Sequence, residues 1–215
     1  MVTDQVKSHH RRRRRVQNKR LVPHPEHRPL PEQDIANRPP AKCRHQCQPI
    51  VRQIQLRDAE GFRACLDSVA RERKYLAQVE APPLDKVREF VAQSVEQDAA
   101  QYVAVVNDKI VGWCDVFGHW AYALRHVGTL GMGIQAEFRG QGLGRALLLK
   151  TLEHALKNEI YRVTLEARED NERAIRLYEQ VGFKHEAKTA CALRFDGKFY
   201  AGITMALLQG PASVA

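Results

Sequence analysis

The chain has 215 residues and a formal net charge of +9, with charged residues making up 27% of the composition. This length suits one domain of ordinary size plus an extension, and a domain of about 160 residues can bury a real hydrophobic core. No apolar run of signal-peptide or membrane-spanning length follows the N-terminal arginines, so the sequence supports neither secretion nor contact with a membrane.

The positive charge is concentrated near the N-terminus. Residues 1–50 contain 12 lysines and arginines against four acids, a net charge of +8 that leaves +1 for the remaining residues. Because this segment is rich in proline and poor in aliphatic residues, we expect a disordered tail over residues 1–49. Its arginine run at residues 11–15 could make a weak, salt-sensitive contact with nucleic acid. We favour the alternatives, a solvated extension or residues translated from a misplaced start codon.

The cysteines do not form a metal-site pattern. Residues 43–47 have C-x-H-x-C spacing, but no second ligand pair lies at zinc-finger distance, so we expect no metal. Cys65, Cys114 and Cys191 stand singly within a predicted helix and strands. We interpret these three as small core residues of a protein kept reduced in the cytoplasm.

The folded domain is predicted to span residues 50–208, with residues 209–215 as a frayed end. It opens with a strand at residues 50–56, and Asp58 then caps a helix that ends near Arg71.

A second helix is introduced by the pair Pro82-Pro83. Four aliphatic residues are predicted to mark its buried side: Leu84, Val87, Val91 and Val95.

A β-hairpin is predicted next. Its strands, residues 101–106 and 110–117, are joined by Asn107-Asp108-Lys109, residue types that suit a tight turn. The following link, residues 118–127, carries four ring-bearing side chains: His119, Trp120, Tyr122 and His126. They could line a ligand pocket or simply pack within the loop, and the sequence leaves both interpretations open.

A strand, a glycine-rich turn and a helix occupy the centre of the sequence. The strand ends in Thr129-Leu130-Gly131-Met132-Gly133-Ile134, and the turn reads Arg139-Gly140-Gln141-Gly142-Leu143-Gly144-Arg145. Apolar residues at helical spacing then follow: Leu148, Thr151, Leu152 and Ala155. Glycines let a backbone approach a ligand, and unpaired amides at a helix N-terminus suit a phosphate. The spacing excludes both the Rossmann fingerprint and the P-loop.

A second strand–helix unit follows at once. Residues 162–168 alternate between apolar and polar side chains, which predicts a half-buried strand. Asp170-Asn171 then offers a cap for a short helix that Gly182 closes. The apolar stripe of that helix is formed by Ala174, Leu177, Tyr178 and Val181.

Two motifs in this order resemble the signatures of the GNAT N-acetyltransferase superfamily. Residues 139–144 read Arg-x-x-Gly-x-Gly, and residues 171–183 read Asn-x-x-Ala-x-x-x-Tyr-x-x-x-Gly-Phe. A closing hairpin, residues 185–195 and 198–208 around the turn Asp196-Gly197, completes the pattern. The resemblance covers about residues 50–208.

The predicted fold is a mixed α+β domain with an antiparallel first half and a strand–helix–strand crossover at the centre. The resemblance implies the GNAT-type three-layer α/β sandwich, with a mixed central sheet, splayed central strands and helices on both faces.

The resemblance also implies acetyl-CoA as co-substrate and direct attack by an amine in a ternary complex. The backbone of Met132, Gly133 and Ile134 would pair with the pantetheine arm and polarise the thioester carbonyl. Asn171 would touch the cofactor near this arm. The pyrophosphate would be held by the turn residues Arg139, Gly140, Gln141, Gly142, Leu143, Gly144 and Arg145.

Acetyl transfer to an amine needs a proton acceptor and a proton donor. Tyr178 stands where the family places the tyrosine that protonates the CoA sulfur; a tyrosine packed against the sheet is the alternative. Glu166, in a stretch that resembles ribosomal-protein alanine acetyltransferases, is our first choice of base, and pairing with Arg168 on an exposed face is its alternative. Glu137, His126 or a water relay remain open as bases.

The acceptor is the least determined part of the prediction. We prefer the amine of a small molecule, an amino acid or a related compound, and a protein N-terminus or lysine remains the second interpretation. In the family the linker between the first two helices forms one wall of the acceptor site, which makes Arg71, Arg73 and Tyr75 weak candidates beside a solvated charge run. A non-catalytic CoA-binding sensor and a homodimer also stay open.

Overall fold

The computed structural model describes residues 48–210 of the chain. Residues 1–47 and 211–215 lie outside the described part, as do the predictions of a disordered tail, of its contact with nucleic acid and of a metal-free C-x-H-x-C motif. Within residues 48–210, no helix is both long and apolar enough to span a membrane.

The described residues form seven strands and four α-helices, with short 3-10 helices in some of the connections. In chain order they are β1 (Ile50–Gln53), α1 (Ala59–Ala70), α2 (Leu84–Glu96), β2 (Ala100–Val106), β3 (Lys109–Gly118), β4 (Val127–Ile134), α3 (Leu143–Lys157), β5 (Arg162–Arg168), α4 (Glu172–Val181), β6 (Lys184–Phe195) and β7 (Lys198–Leu208). This is the predicted order, and the predicted mixed sheet with helices on both faces is confirmed.

The strands form one mixed sheet in the order β1-β2-β3-β4-β5-β7-β6. Each neighbouring pair is antiparallel except β4 and β5, which are joined by the crossover through α3. The parallel pairing begins at Val127 and Arg162 and ends at Thr129 and Thr164. Beyond these residues β4 and β5 separate, and we call the gap between them the splay.

Alternating side chains give each face of the sheet its own core. On the α3/α4 face, Cys114 of β3 packs with Leu147 of α3 and Tyr178 of α4. On the α1/α2 face, Trp113 meets the ring of Phe62 from α1, with ring centroids 5.8 Å apart. Complete burial of one large apolar side chain contributes about 1.5–3 kcal/mol, so each of these two layers stabilises the sheet substantially.

Three local predictions are wrong. Asp58 precedes α1, but its carboxylate accepts hydrogen bonds from the Gln55 N–H and the Arg52 guanidinium instead of capping the helix. Helix α2 turns Ser94 toward the core and leaves Val95 37% exposed, because the helix is rotated relative to its apolar pattern. Cys191 is exposed, since it lies with a φ of 56° where the β6–β7 register shifts.

Candidate active site

A cleft of about 670 Å³ lies at the splay. It is bordered by the end of β4, the glycine-rich turn, the first residues of α3 and α4, and the linker between α1 and α2. The predicted site residues on its wall are Met132, Gly133, Ile134, Arg139, Gly140, Gly142, Gly144, Arg145, Asn171 and Tyr178. The structure therefore brings together side chains from the two sequence motifs, which lie about 30 residues apart in the chain.

The edge of β4 that faces the splay has backbone groups without a strand partner. The His119 N–H donates to the Val127 carbonyl oxygen (2.9 Å), so this residue pair exchanges hydrogen bonds between β3 and β4. The β3–β4 register continues without a shift to the end of β4. Because successive residues of a strand turn their N–H and C=O groups to opposite edges, those of Gly133 face β3 and those of Met132 and Ile134 face the splay. This alternation favours Met132 and Ile134 over Gly133 for pairing with a ligand, and the predicted pairing of all three remains a prediction.

The glycine-rich turn leads into the N-terminus of α3. Gly140 and Gly142 have φ angles of 81° and 82°, in the left-handed region that favours glycine. Leu143 begins the 15-residue helix with its side chain buried in the core. The side-chain amide of Gln141 braces the turn by donating to the Glu137 carbonyl oxygen (3.0 Å). Unpaired first-turn amides at the positive end of the helix dipole suit a phosphate group.

Two arginines add positive charge beside this turn. Arg145 lies in the first turn of α3 and Arg173 in the first turn of α4, and both line the cleft. Nη2 of Arg173 lies 2.6 Å from where a Cβ on Gly140 would be, so its guanidinium rests on the turn. We did not predict Arg173 from the sequence. Its local pattern is that of an ordinary exposed helix arginine, and only the packing of α4 against the turn gives it this place.

The side chain of Arg139 braces the turn rather than pointing freely into the cleft. Its Nε donates to the Ile134 carbonyl oxygen (2.7 Å), and Nη1 donates to Glu72 just beyond α1 (2.9 Å). The guanidinium therefore ties the end of β4 to the α1–α2 linker. The predicted contact between Arg139 and a pyrophosphate remains a prediction, but this side chain already has other partners.

Tyr178 and Asn171 place α4 against the cleft. Tyr178 is only 7% exposed and packs against the Phe183 ring, and burial raises the pKa of its phenol well above the ordinary value. The phenol therefore keeps its proton at neutral pH, as a proton donor must, although burial also makes it a weaker acid than an exposed tyrosine. Asn171 uses its side-chain oxygen to cap α4 by accepting from the Ala174 N–H (3.4 Å), which leaves its side-chain NH₂ to donate.

Glu166 faces the other side of the sheet, the α1/α2 face, and is exposed. Its carboxyl carbon lies 2.9 Å from where a Cβ on Gly202 of β7 would be, so the carboxylate extends across a position without a side chain. The alternative of a pair with Arg168 is wrong, because that guanidinium is held by both oxygens of Asp170 at 2.6 and 2.8 Å. No ion pair involves Glu166 among residues 48–210.

Arg168 joins two segments into a wall on this face. It is 8% exposed, with its guanidinium carbon 3.9 Å from the centre of the Tyr200 ring and 4.8 Å from that of Tyr75. Arg73 adds an ion pair with Asp196 at the tip of the β6–β7 hairpin (2.7 Å). The hairpin and the α1–α2 linker are thereby held together beside the splay. Of the linker candidates, Arg73 and Tyr75 contribute to this wall.

The other predicted candidates lie elsewhere. Glu137 is exposed beside a separate small cleft, and His126 is exposed at the start of β4, the end opposite the splay. Trp120 and Tyr122 are 88% and 83% exposed. These rings do not line the cleft. Instead the rings of His119 and Trp120 stack on each other, with centroids 5.6 Å apart, and Arg125 lies 5.1 Å from the centre of the Tyr122 ring, which agrees with the predicted packing within the loop.

Comparison with known proteins supports the same family. The model of the acetyltransferase (GNAT) family matches residues 64–183. YokL, an uncharacterized N-acetyltransferase derived from the SPbeta prophage of Bacillus subtilis, is 27% identical over 163 residues, covering 74% of this chain and 89% of its own length.

Solved structures show the same fold. A GNAT-family acetyltransferase from Streptococcus pneumoniae superposes with a TM-score of 0.71 at 24% identity, covering 75% of this chain and all of the other. The structure of yncA from Salmonella typhimurium, solved with its cofactor acetyl-CoA, has a TM-score of 0.72 at 15% identity, covering 77% of this chain and 96% of the other. Because the family match spans more than half of the chain, this protein belongs to the GNAT family of acetyltransferases and is an acyltransferase.

Proposed function

We propose that this protein transfers an acetyl group from acetyl-CoA to the primary amine of a small molecule, with both substrates bound together. One observation carries the proposal: the splay opens between a phosphate-binding turn with unpaired β4 amides on one side and the Glu166 carboxylate on the other. A thioester lying along the edge of β4 would thus be reached by an amine from the α1/α2 face.

The residues present fit acetyl-CoA. The backbone amides at residues 140–145 and the dipole of α3 suit its pyrophosphate, and Arg173 adds positive charge at the same turn. The unpaired N–H groups of Met132 and Ile134 suit the amide-containing pantetheine arm and can polarise a carbonyl by fixed hydrogen bonds. Asn171 has a side-chain NH₂ free to donate beside this edge.

Two side chains supply the proton transfers. Glu166 takes a proton from the acceptor ammonium, which makes the amine nucleophilic. Tyr178 lies on the cleft wall with its phenol protonated, and it donates to the departing sulfur. The two side chains lie on opposite faces of the sheet. This arrangement lets Glu166 accept the proton of the amine on one face while Tyr178 donates a proton to the sulfur on the other.

The wall around Arg168 favours a small acceptor. Because the hairpin and the α1–α2 linker are joined by Arg168 and by the Arg73–Asp196 pair, the approach to the splay from this side is narrowed. A protein N-terminus or lysine is the second acceptor class, and a CoA-binding sensor is the non-catalytic one. The free, buried thiols of Cys65 and Cys114 support a reducing, cytoplasmic setting.

The test uses the purified full chain. Acetyl-CoA at about 100 times its Kd would stabilise the folded state by about 2.7 kcal/mol, which raises Tm by about 5–10 °C for a domain of this size. Thiol release is then measured across amino acids, polyamines and peptides. Release with a free amine supports the proposal, and release with peptides alone supports the protein acceptor. Stabilisation without release supports the sensor, and no stabilisation overturns acetyl-CoA binding.

A further inference from the structure

A second carboxylate lies close to the splay. Asp115 is in β3 and faces the α1/α2 side, like its neighbours Trp113 and Phe117. Its Oδ1 lies 2.7 Å from the position that a Cβ on Gly131 would occupy, so the carboxylate extends over β4 where that strand has no side chain. Because β4 borders the splay, the Asp115 carboxylate of the neighbouring strand extends toward the splay across a glycine.

Asp115 and Glu166 lie at the same level on either side of the gap. The parallel register joins Thr129 of β4 to Thr164 of β5 and then ends. Gly131, which lies beneath the Asp115 carboxylate, and Glu166 are each two residues further along their strands. Two residues preserve the face of a strand, so both carboxylates are on the α1/α2 side of the splay.

The surroundings of Asp115 do not provide a positive partner. No salt bridge to Asp115 is found among residues 48–210. Gln101 of β2 lies directly opposite Asp115 on the same face of the sheet. The two form a non-hydrogen-bonded antiparallel pair, in which the Cα atoms are about 4.5 Å apart. Gln101 is completely buried with both side-chain amide atoms unpartnered, and so is the Ser94 hydroxyl of α2. Buried polar groups left in this state are unusual and indicate a missing partner.

We propose that Asp115 binds the acceptor ammonium together with Glu166, and thereby selects a cationic primary amine over a neutral nucleophile. This inference rests on the proposed function. A single ammonium between two carboxylates would donate charge-assisted hydrogen bonds to both sides of the splay. Glu166 retains its role in proton transfer, while Asp115 is a binding residue that acts through affinity for the acceptor.

The ionisation of Asp115 gives this binding a pH dependence. Burial raises the pKa of Asp115 to about 7, and the nearby Gly131 N–H lowers it only in part. The side chains of α2 that face the sheet do not titrate. Cys65 of α1 remains a neutral thiol because burial raises its pKa to about 12. Among residues 48–210, Lys74, Tyr75, Glu166 and Tyr200 also lie on this face, together with the ion pairs Arg52–Asp58, Arg162–Glu186 and Arg168–Asp170.

The test compares acceptor KM and kcat in the full chain at saturating acetyl-CoA, with the most active panel amine as substrate. Asp115→Asn should raise acceptor KM by about 10- to 100-fold with a much smaller change in kcat, because it removes charge but keeps a polar group. Gly131→Ala should also raise KM, because its Cβ displaces the carboxylate. Asp108→Asn is the control, since it makes the same chemical change in the exposed β2–β3 turn.

Two further measurements complete the test: acceptor KM as a function of pH, and inhibition by an alcohol analogue of the acceptor. Acceptor KM should fall as pH rises through about 7 in the wild type but not in Asp115→Asn. An analogue of the acceptor with a hydroxyl in place of the amino group should have an inhibition constant far above the KM of the amine in the wild type. The ratio of these two constants should be smaller in Asp115→Asn. Unchanged KM and an unchanged pH profile in Asp115→Asn, beside an active wild type, overturn the role of Asp115 alone. A wild type without turnover on any free amine overturns the proposed function as well.

Discussion

Replacing Arg139 tests how the edge of β4 is held beside the glycine-rich turn. The side chains of Arg139 and Glu72 are 26% and 20% exposed. Exposed ion pairs contribute about 0.2–1 kcal/mol, whereas breaking a buried pair costs about 3–5 kcal/mol, so this pair falls between the two. We expect Arg139→Met to lower the free energy of unfolding by about 2 kcal/mol, because it also removes the donor to the Ile134 carbonyl, and Glu72→Gln to lower it by about 1 kcal/mol.

A double-mutant cycle measures whether the two side chains act as one unit. Urea unfolding of the wild type, both single variants and the double variant should give a coupling free energy of about 1 kcal/mol between Arg139 and Glu72. Independent sites usually add to within about 0.5 kcal/mol, so additivity within that range would refute the brace.

The affinity for acetyl-CoA separates a brace from a direct phosphate ligand. If Arg139 acts through Glu72, both single variants raise the Kd for acetyl-CoA. The Kd of the double variant is then no higher than that of the single variant that binds acetyl-CoA more weakly. If the guanidinium instead binds phosphate, Glu72→Gln releases it and leaves the Kd unchanged or lower. Isothermal titration of the four proteins distinguishes these patterns, and the second one would refute our reasoning about Arg139.

Three further predictions follow from the same geometry. Gly140→Ala and Gly142→Ala should each lower the free energy of unfolding in urea by about 1–2 kcal/mol, because both residues have φ angles in the left-handed region. Only Gly140→Ala should also weaken acetyl-CoA binding through Arg173, since Gly142 has open space around it, and equal Kd values would contradict that contact. Tyr178→Phe should lower the single-turnover rate about 100-fold with an unchanged Kd for acetyl-CoA, and an unchanged rate would remove Tyr178 from proton transfer. Asp115 has a folded-state pKa of about 7, above its ordinary value, so its charged form opposes folding at higher pH. Asp115→Asn should therefore raise Tm at pH 8, with the difference shrinking toward pH 4, and a pH-independent difference would argue against burial of the charge.

Local signals explain why much of this fold could be predicted from the sequence. The start of α3 beside Gly142 and the extent of β5 follow from turn chemistry and side-chain periodicity, and the structure confirms both. Asn171 and Gly182 bound α4 as predicted, one by capping with its side chain and the other with a φ of 114°. Each of these signals acts within a few residues, so it requires no knowledge of how the strands pair.

The remaining features depend on registers that the sequence does not display. Asp115 is an unremarkable polar residue in an apolar strand until the β3–β4 register places it over Gly131. Arg173 acquires its contact only when α4 packs against the glycine-rich turn. Ser94 replaces Val95 on the buried side of α2 because packing against the sheet, not the apolar pattern, sets the rotation of that helix.

The alternation along β4 explains why glycine recurs in this strand. The even-numbered residues from Leu130 to Ile134 direct their side chains into the α3/α4 core and their backbone groups to the splay. Gly131 and Gly133 face the α1/α2 side, where they lie beneath Asp115 and the ring of Trp113, whose Cζ3 is 2.6 Å from the Gly133 Cβ position. If the proposed function is right, a larger residue at either glycine disturbs the side from which the acceptor approaches, whereas a change at the even-numbered positions disturbs the edge along which acetyl-CoA binds. In the proposed function, one strand would thus serve both substrates, because its odd-numbered and even-numbered residues face different partners.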